Sequence, residues 1–368
     1  MKVLVGMSGG VDSSVAALLL KKQGFHVEGA SLLMFETRLS RKDPRSCCSL
    51  ESVKDAARTA RAIGIPHRVI DARDGFIEKV IEPFALSYSR GRTPNPCILC
   101  NRHVKLPVLL DAAIKEGPDF FIATGHYARI KTTPKGPVLS VAADPKKDQS
   151  YVLYAQAKED LARLVLPLGG LRKEDVRRVA REAGLPVFDR PESQEICFIE
   201  GRDYPAMIRE LCPAAMAGGP ILDETGRQIG THEGICRYTI GQRKGLGGCR
   251  DSHDPKPLYV YRIDAAKNTV YAGGREKAFA GMIEVGGLNW LIGGWVRLEK
   301  FRAGVKVRST MPPAPATVFV SGFTGPARIV FDSPQWAAAP GQSAVFYDGG
   351  AVIGGGIILE KEGETADA

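Results

Sequence analysis

The chain has 368 residues, so its length alone predicts two or three domains. Hydrophobic residues make up 44% and charged residues 25%, which excludes a largely disordered chain, and the net charge of +9 permits a polyanionic partner without establishing one. No apolar run approaches the ~18 residues of a membrane span, the first residues lack a secretory signal, and eight cysteines are too few for a disulfide scaffold. We therefore expect a cytoplasmic chain with reduced thiols.

The first motif follows a short apolar segment at the N-terminus. Lys2 to Met7 has the composition of a strand, and Val15 to Lys22 that of a helix that stops near Gly24. Between them stands SGGVDSS, residues 8–14, whose glycines lack Cβ atoms and let backbone N–H groups face a ligand. Because a helix N-terminus adds further donors and a positive dipole end, this arrangement predicts a phosphate-binding loop.

The sequence of this loop separates it from two common nucleotide motifs. It lacks the Gly-Lys-Ser/Thr ending of a Walker A loop and the spacing of the G-x-G-x-x-G fingerprint. SGGVDSS instead resembles the loop of the PP-loop ATP pyrophosphatases, which split ATP between its α- and β-phosphates and adenylate a substrate. A plain strand-to-helix turn with N-capping serines is the alternative explanation.

Further segments alternate between strand and helix patterns. The predicted strands are 26–34, 67–70 and 119–124, and a helix is predicted over 51–63. Such alternation predicts a parallel sheet with helices on both faces, where ligands bind beyond the carboxyl ends of the strands. Ser8, Met34 and Gly125 would all lie at that edge.

A second set of candidate residues consists of cysteines. Arg92 to Asn101 has two prolines within three positions, which predicts a stiff loop rather than a helix, and it carries Cys97 and Cys100. Cys197 lies far downstream in a short apolar run. Taken alone, the C-x-x-C pair could be a redox pair, half a zinc site or chance, and Cys197 a small buried hydrophobe. The sequence has no second C-x-x-C, so a four-ligand zinc site is poorly supported.

Several further motifs are spaced along the chain. With the loop at 8–14 and RTPNPCILCN at 92–101, they are TGHYA (124–128), KDQSY (147–151), ICFI (196–199), YTIGQRKGL (238–246) and GQSAVFY (341–347). From Val3 to about Leu359, this combination resembles the tRNA-specific 2-thiouridylases. The resemblance implies an α/β fold: a parallel-sheet PP-loop domain of the adenine nucleotide alpha hydrolase-like type, then a small mixed central domain and a C-terminal β-barrel. We expect boundaries at 1–165, 166–275 and 276–360, with a frayed tail at 361–368.

The family's reaction is ATP-dependent 2-thiolation of the wobble uridine in tRNAs for Glu, Gln and Lys. A carbonyl oxygen is a poor leaving group, and adenylation converts it into a phosphate ester oxygen that departs readily. A thiolate or persulfide then attacks C2, since sulfur is a far better nucleophile than water. Mg²⁺ would neutralise the phosphate charge, with Asp12 the loop carboxylate best placed to hold it. The implied partners are tRNA and a cysteine desulfurase or sulfur-carrier protein, without a membrane.

The resemblance also implies roles for individual residues. Cys100 matches the nucleophilic cysteine and Cys197 the persulfide carrier, and the two are implied to form a transient Cys100–Cys197 disulfide after transfer. The residues implied to bind ATP are Gly6, Met7, Ser8, Gly9, Gly10, Val11, Asp12, Ser13, Met34 and Gly125. Those implied to face the target base are Asn95, Pro96 and Cys97. Those matching positions near the tRNA are His126, Lys147, Asp148, Gln149, Arg308, Ser309 and Gln342.

One position departs from the family pattern. Some members carry Asp where this chain has Cys97, which puts the role of an acidic residue there in doubt. The exchange creates a set of three thiols, Cys97, Cys100 and Cys197, one short of a full cluster cage. The alternative hypothesis is the same thiolation run through an iron–sulfur cluster held by those three. The remaining cysteines are expected to be structural: Cys47, Cys48, Cys212, Cys236 and Cys249.

The second half has a composition suited to RNA. Arg172 to Arg181 is a basic helical pattern, and Gly234 to Arg250 combines basic residues, glycines and a tyrosine. Each alone is also explained by a solvated charged face. After Pro257 short β segments follow, beginning with a hairpin over 258–272, and they predict a small barrel or sandwich.

Three other functions stay open on the sequence. They are a PP-loop synthetase that adenylates a small molecule, a non-catalytic RNA-binding protein, and an enzyme that thiolates another tRNA base. The first has no need for Cys100 and Cys197, and the second leaves the intact loop without a purpose. Only the resemblance of the distant motifs disfavours the third.

Overall fold

The computed structural model describes residues 1–35, 50–191, 196–199, 204–246, 257–322 and 324–360. The chain divides into two compact units. The N-terminal unit is Met1–Ile81, Pro96–Arg202 and Gly350–Val352, and the C-terminal unit is Glu82–Asn95, Asp203–Gly349 and Ile353–Ala368. Cys47, Cys48, Cys249 and the expected tail lie outside the described residues.

A five-stranded parallel sheet forms the core of the N-terminal unit. The strands of this unit are β1 (Lys2–Gly6), β2 (His26–Leu33), β3 (His67–Asp71), β4 (Phe120–Ala123), β5 (Arg129–Thr133), β6 (Gly136–Ser140) and β7 (Leu164–Val165). The sheet order is β3-β2-β1-β4-β7, with every pairing parallel. Val3, Leu4 and Val5 are fully buried, as expected for a central strand covered on both faces. The predicted parallel sheet is confirmed.

Helices connect these strands. They are α1 (Val11–Lys22), α2 (Leu50–Ile63), α3 (Arg73–Phe76), α4 (Glu82–Ser89, in the C-terminal unit), α5 (Pro96–Cys100), α6 (Leu106–Glu116), α7 (Ser150–Leu153), α8 (Lys158–Ala162) and α9 (Lys173–Glu182). Single π-helical turns follow α3 at Ile77–Ile81 and α5 at Asn101–Lys105. Within the described part of the chain, no helix has the length and apolarity needed to cross a membrane.

Two local predictions differ from the structure. Helix α1 begins at Val11 rather than Val15, because Val11 is buried and Asp12 is favourable in the first turn beside the positive dipole end. The stiff loop predicted over 92–101 is wrong in its second half, where Pro96–Cys100 is helical. Proline is tolerated at the first helical position, since the N–H that it lacks has no intrahelical partner there.

The middle of the chain forms a small mixed sheet in the C-terminal unit. After helix α10 (Tyr204–Leu211), its strands are β8 (Gly219–Leu222), β9 (Gln228–His232), β10 (Tyr259–Asp264) and β11 (Thr269–Gly273), in the order β10-β11-β8-β9. Ile221, Val260 and Val270 form its buried core. The predicted hairpin is confirmed by the antiparallel pairing of β10 with β11.

Six strands at the C-terminus close into a barrel. They are β12 (Phe279–Trp290), β13 (Lys300–Lys306), β14 (Ala314–Val320), β15 (Ala327–Trp336), β16 (Ser343–Asp348) and β17 (Ala351–Ile358). The order is β12-β15-β14-β13-β16-β17, and β12 pairs with β17 to complete the ring. Residues of β15 alternate between buried and exposed, so that Ala327, Ile329 and Phe331 fill the interior. The predicted barrel is confirmed.

Candidate functional site

The glycine loop lies where β1 ends and α1 begins. Gly9 has φ +70°, and a Cβ there would come within 2.2 Å of the Ser52 carbonyl oxygen at the start of α2. Only glycine fits, because both the backbone conformation and the contact exclude a side chain. The Ser13 hydroxyl oxygen accepts a hydrogen bond from the Ser8 N–H at 3.1 Å and closes the turn. The result is a compact loop that leads directly into the N-terminus of α1, where a helix favours an anion.

Gly125 brings the end of a second strand, β4, to the same loop. It follows β4, and a Cβ at this position would lie 2.7 Å from the Ser13 backbone nitrogen and 2.8 Å from the Asp12 carbonyl carbon. The backbones therefore touch here with no room for a side chain. The ends of β1 and β4 thus meet at one edge, as the sequence predicted.

A chain of polar contacts fixes Asp12, the acidic residue of the loop. Its two carboxylate oxygens accept hydrogen bonds from the Lys173 Nζ at 2.6 and 2.8 Å, and the Tyr127 hydroxyl donates to Oδ1 at 2.8 Å. The Lys173 side chain is 10% exposed and that of Asp12 33%. Tyr127 is itself positioned by Gln149, which exchanges two hydrogen bonds with its backbone. A lysine thus neutralises the loop carboxylate directly beside the predicted phosphate site.

Lys173 was interpreted from the sequence as part of a basic, RNA-facing helix, and for this residue that interpretation is wrong. It is the first residue of α9 and it is buried, because it is paired with Asp12. Arg178 on the same helix is exposed and pairs with Asp175 at 2.7 Å. A lysine at a helix start beyond a sheet edge is a weak sequence signal, since its partner lies 161 positions away.

Arg190 holds the loop from the other side. Its Nη1 atom donates to the Gly9 carbonyl oxygen at 2.8 Å and to the Asp55 carboxylate on α2. Asp55 also pairs with Arg58 at 2.8 Å. Arg190 was not predicted as a site residue, because nothing in the local sequence pattern indicates a contact across 181 positions.

Two adjacent residues that follow β2, Met34 and Phe35, contact the two segments that carry the predicted catalytic cysteines. Cys100 is buried, and its Sγ lies 3.7 Å from the Met34 sulfur. Cys197 is half-buried, and the next residue, Phe198, packs edge-on against Phe35 with ring centroids 6.4 Å apart. Phe198 also packs against Phe76 at 5.6 Å. The Met34–Phe35 dipeptide therefore contacts both cysteine-bearing segments.

The three residues implied to face the target base belong to different units, and the boundary falls at the start of α5. Asn95 is half-buried in the C-terminal unit, whereas Pro96 and Cys97 open α5 in the N-terminal unit. Cys97 is exposed and Cys100 buried on the same short helix.

The side chains of the site differ in how well they suit an iron–sulfur cluster and Mg²⁺. Among the described residues, no three His, Cys, Asp or Glu side chains are placed to hold a metal ion. Cys97, Cys100 and Cys197 therefore do not form the ligand set of an iron–sulfur cluster in this structure. Mg²⁺ needs less from the protein, because it commonly binds one or two carboxylates, waters and the phosphates of its substrate. Asp12 fits that pattern, with Lys173 as its present partner.

The predicted tRNA contacts of the N-terminal unit include an uncharged histidine. His126 is 8% exposed, and its Nδ1 lies 2.7 Å from the Thr124 hydroxyl. Burial lowers the pKa of His126 to about 3, with the nearby Lys105 charge contributing, so the ring is neutral at pH 7. His126 therefore lacks the charge that would attract a phosphate.

Asp148, another of the predicted tRNA contacts, is held within its own segment. Its carboxylate accepts hydrogen bonds from the Ala142 N–H and from Ser150.

Residues from three of the sequence motifs, those at 92–101, 238–246 and 341–347, contact one another around Thr93 in the C-terminal unit. The Gln342 side-chain amide donates to the Thr93 carbonyl oxygen at 3.0 Å, and the Thr93 hydroxyl contacts the Thr239 hydroxyl. Arg308 donates to the carbonyl oxygens of Ala337 and Ile240 at 3.1 and 3.0 Å, while Ser309 is exposed. Arg308 and Gln342 thus support the backbone of this region.

Comparisons with known proteins agree with this architecture. Three family models match: "tRNA methyl transferase HUP domain" over residues 1–201, "tRNA methyl transferase PRC-barrel domain" over 208–274 and "Aminomethyltransferase beta-barrel domain" over 282–358. A parallel sheet with a glycine loop of this type defines a PP-loop nucleotide-binding protein.

Curated relatives sharpen the assignment. The tRNA-specific 2-thiouridylase MnmA of Rhodospirillum rubrum is 43% identical over 97% of this chain and 96% of its own length. Its namesake from Clostridium botulinum is 44% identical over 97% of both chains. The chain belongs to the tRNA-specific 2-thiouridylase family. Among solved structures, a 4-thiouridine synthetase in complex with RNA and ATP is 19% identical, with a TM-score of 0.33 over 58% of this chain and 50% of its own.

Proposed function

We propose that this chain is a tRNA-uridine 2-sulfurtransferase that uses ATP to convert the wobble uridine of tRNAs for Glu, Gln and Lys into 2-thiouridine, in the cytoplasm. The observation that carries the proposal is the Met34–Phe35 dipeptide, which contacts Cys100 on one side and the neighbour of Cys197 on the other. A small-molecule synthetase would need the glycine loop but neither cysteine. Membership of the 2-thiouridylase family supports the same activity.

The N-terminal unit would carry out adenylation. Gly9, Gly10 and the first turn of α1 offer backbone N–H groups to the phosphates of ATP, and Gly125 lets the end of β4 pack directly against this turn. Lys173 supplies a positive charge where pyrophosphate charge develops as it departs. Mg²⁺, when bound, would further neutralise the phosphates, and Asp12 is the carboxylate that would hold it.

Sulfur transfer then follows in balanced steps. The terminal sulfur of a Cys197 persulfide attacks C2 of the adenylated uridine, and the C2–O bond breaks to release AMP. The Cys100 thiolate attacks the Cys197 Sγ and breaks its bond to the transferred sulfur, which stays on C2. The products are 2-thiouridine and a Cys100–Cys197 disulfide. A thiol reductant returns the two electrons needed for the next turnover, and a cysteine desulfurase or sulfur carrier restores the persulfide.

Each unit carries residues that we propose contact tRNA. Lys147, Asp148, Gln149 and His126 belong to one, and Arg308, Ser309, Gln342 and Asn95 to the other. The net charge of +9 favours a polyanion overall. We propose that the central domain at 166–275 supplies further tRNA contacts.

The decisive experiment is mass analysis of tRNA nucleosides from cells that lack this protein, with and without a plasmid copy. Loss of 2-thiouridine, restored by the plasmid, is the expected result. Unchanged 2-thiouridine with loss of a methylated nucleoside would favour tRNA methyl transfer and would refute sulfur transfer.

The iron–sulfur alternative has a separate test. After anaerobic incubation with iron and sulfide, the purified chain should retain no iron if the persulfide route holds. Retained iron with cluster absorbance, lost in Cys97→Ser, would instead favour a cluster.

A further inference from the structure

We propose that the turn at residues 144–149, called the 144–149 turn below, links RNA binding to the ATP site, with Tyr127 and Asp144 as positioning residues. The turn contacts both residues that hold the Asp12 carboxylate, and it exposes Lys146 to solvent. RNA bound to the turn would thereby affect the geometry of the glycine loop. The inference rests on the proposed function for its two ligands, tRNA and ATP, whereas the contacts themselves belong to the structure.

One connection runs from the C-terminal end of the turn through Tyr127. The Gln149 side-chain oxygen accepts a hydrogen bond from the Tyr127 N–H at 2.9 Å, and the Gln149 N–H donates to the Tyr127 carbonyl oxygen at 2.7 Å. Tyr127 is 2% exposed, and its hydroxyl donates to Asp12 Oδ1 at 2.8 Å. Because the ring is buried and its backbone is held at two points, the position of Gln149 determines where the hydroxyl meets Asp12.

A second connection runs from the N-terminal end of the turn through Asp144. Its Oδ2 atom accepts a hydrogen bond at 3.1 Å from the backbone N–H of Lys173, which has no intrahelical partner because it lies in the first turn of α9. The Lys173 Nζ then donates to both Asp12 oxygens at 2.6 and 2.8 Å. It also lies 5.6 Å from the centre of the Tyr127 ring, a cation–π contact that joins the two connections. The two ends of one turn thus reach the same carboxylate by separate routes.

Hydrogen bonds at the base and the tip of the turn tie its two ends together. At the base, the Asp148 carboxylate accepts hydrogen bonds from the Ala142 N–H at 3.1 Å and the Ser150 N–H at 3.2 Å. At the tip, the Lys146 N–H donates to Asp144 Oδ1 at 3.1 Å. A displacement of the tip is therefore passed to both routes at once.

The exposed tip of the turn suits an anionic backbone. Lys146 is exposed, and the side chains of Asp144, Asp148 and Gln149 accept hydrogen bonds from the protein's own backbone. The acids of the turn are thus engaged internally, while a lysine faces solvent, where it can neutralise a phosphate and release counterions. The net charge of +9 favours the same kind of ligand. The ligand of the tip is therefore the phosphate backbone of tRNA.

The test measures filter binding of an unmodified tRNA transcript for Glu to the full-length protein, with and without α,β-methylene-ATP, which cannot be split between its α- and β-phosphates. The ratio of the two dissociation constants is the coupling factor, and by linkage tRNA must tighten binding of the analogue by the same factor. The variants are Tyr127→Phe, Asp144→Ala and Lys146→Ala. Thr133→Val is the matched control, because it also removes a hydroxyl that donates at 2.8 Å, here to Gly136 within the β5–β6 hairpin.

In the wild type and in Thr133→Val, the analogue should tighten tRNA binding about fivefold or more. In Tyr127→Phe and Asp144→Ala the coupling factor should fall below about twofold, with little change in tRNA affinity when no nucleotide is present. A purely structural role would leave the coupling factor unchanged. Lys146→Ala should weaken tRNA binding and lower its salt slope by about one. Thermal melting identifies a variant that fails to fold, and Tyr127→Phe decides if Asp144→Ala unfolds, since it keeps the buried ring.

Three results would overturn the inference. They are a wild type that binds tRNA equally with and without the analogue, a folded Tyr127→Phe protein with the coupling factor of Thr133→Val, and a Lys146→Ala protein with wild-type tRNA affinity. Failure of the proposed function has a different signature, because binding of an unreactive analogue needs no sulfur transfer. Cells that lack the protein would then keep their 2-thiouridine, whatever the coupling factor.

Discussion

The glycine loop and the C-terminal barrel are stabilised by different kinds of interaction. Around the loop, Asp12, Lys173 and Tyr127 form an ion pair and hydrogen bonds between residues far apart in sequence. In the barrel, buried apolar residues from several strands, such as Val318 on β14 and Phe346 on β16, fill the interior. Polar groups held by long-range contacts can serve chemistry, whereas an alternating apolar pattern serves stability. Substitutions in the two regions should therefore have separable effects on turnover and on unfolding.

The largest effect is expected at the sulfur carrier. Cys197→Ala should lower 2-thiouridine formation about 1,000-fold or more, because it removes the thiol that we propose carries the transferable sulfur. Pyrophosphate release with tRNA and the melting temperature should change little. Cys212→Ala, another half-buried cysteine, is the control and should thiolate normally. Equal thiolation by the two variants would exclude Cys197 from the reaction.

Next comes the barrel, where stability rather than turnover should respond. Phe346→Ala removes a fully buried ring and should lower the free energy of unfolding by about 3–5 kcal/mol. Val330→Ala, on the exposed face of β15, should change it by less than about 0.5 kcal/mol. Denaturant unfolding measures both, and activity well below the transition should remain near normal. A large loss of activity in a folded Phe346→Ala protein would contradict the proposed separation.

The loop should show the opposite behaviour. Lys173→Met removes the cation beside Asp12 and should lower kcat/KM for pyrophosphate release about 100-fold. Because Asp12 is partly exposed, we expect a loss of stability of only about 1–2 kcal/mol. Arg178→Ala on the exposed part of α9 is the control. If both variants keep full activity, Lys173 has only a structural role.

The smallest effect is a pH dependence from His126. Its pKa is about 3 in the folded protein and near 6.5 in the unfolded chain, so between these values the unfolded state binds the extra proton. Stability should therefore fall as the pH drops below 6.5. Relative to wild type, His126→Gln should remove about 1 kcal/mol of the loss between pH 7.5 and 5.5, measured by denaturant unfolding at each pH. Parallel pH profiles would show that His126 is charged or exposed.

Local patterns sufficed for much of the fold. The strand over 2–7, the glycine loop and the hairpin after Pro257 were all predicted, since each depends on residues close in sequence. The barrel followed from recurring β segments, although β12 and the β5–β6 hairpin were not singled out. Helix α5 was missed because proline was weighed as a helix breaker and not as a first helical residue.

The candidate site was predictable only in part. Motifs and family resemblance indicated the loop and the cysteines, but not the cations that hold the loop. Lys173 and Arg190 contact it from 161 and 181 positions away. Hydrophobic periodicity carries no information on such pairs, because a lysine or arginine at a helix end looks the same whether it meets solvent or a carboxylate.

The pairing of β12 with β17 has a consequence for handling the protein. Each barrel strand has a neighbour on both sides, so the ring presents no row of unpaired backbone groups to another molecule. Truncation before Ala351 would remove β17 and open two such rows at once, on β12 and β16. A shortened chain should then self-associate into insoluble material.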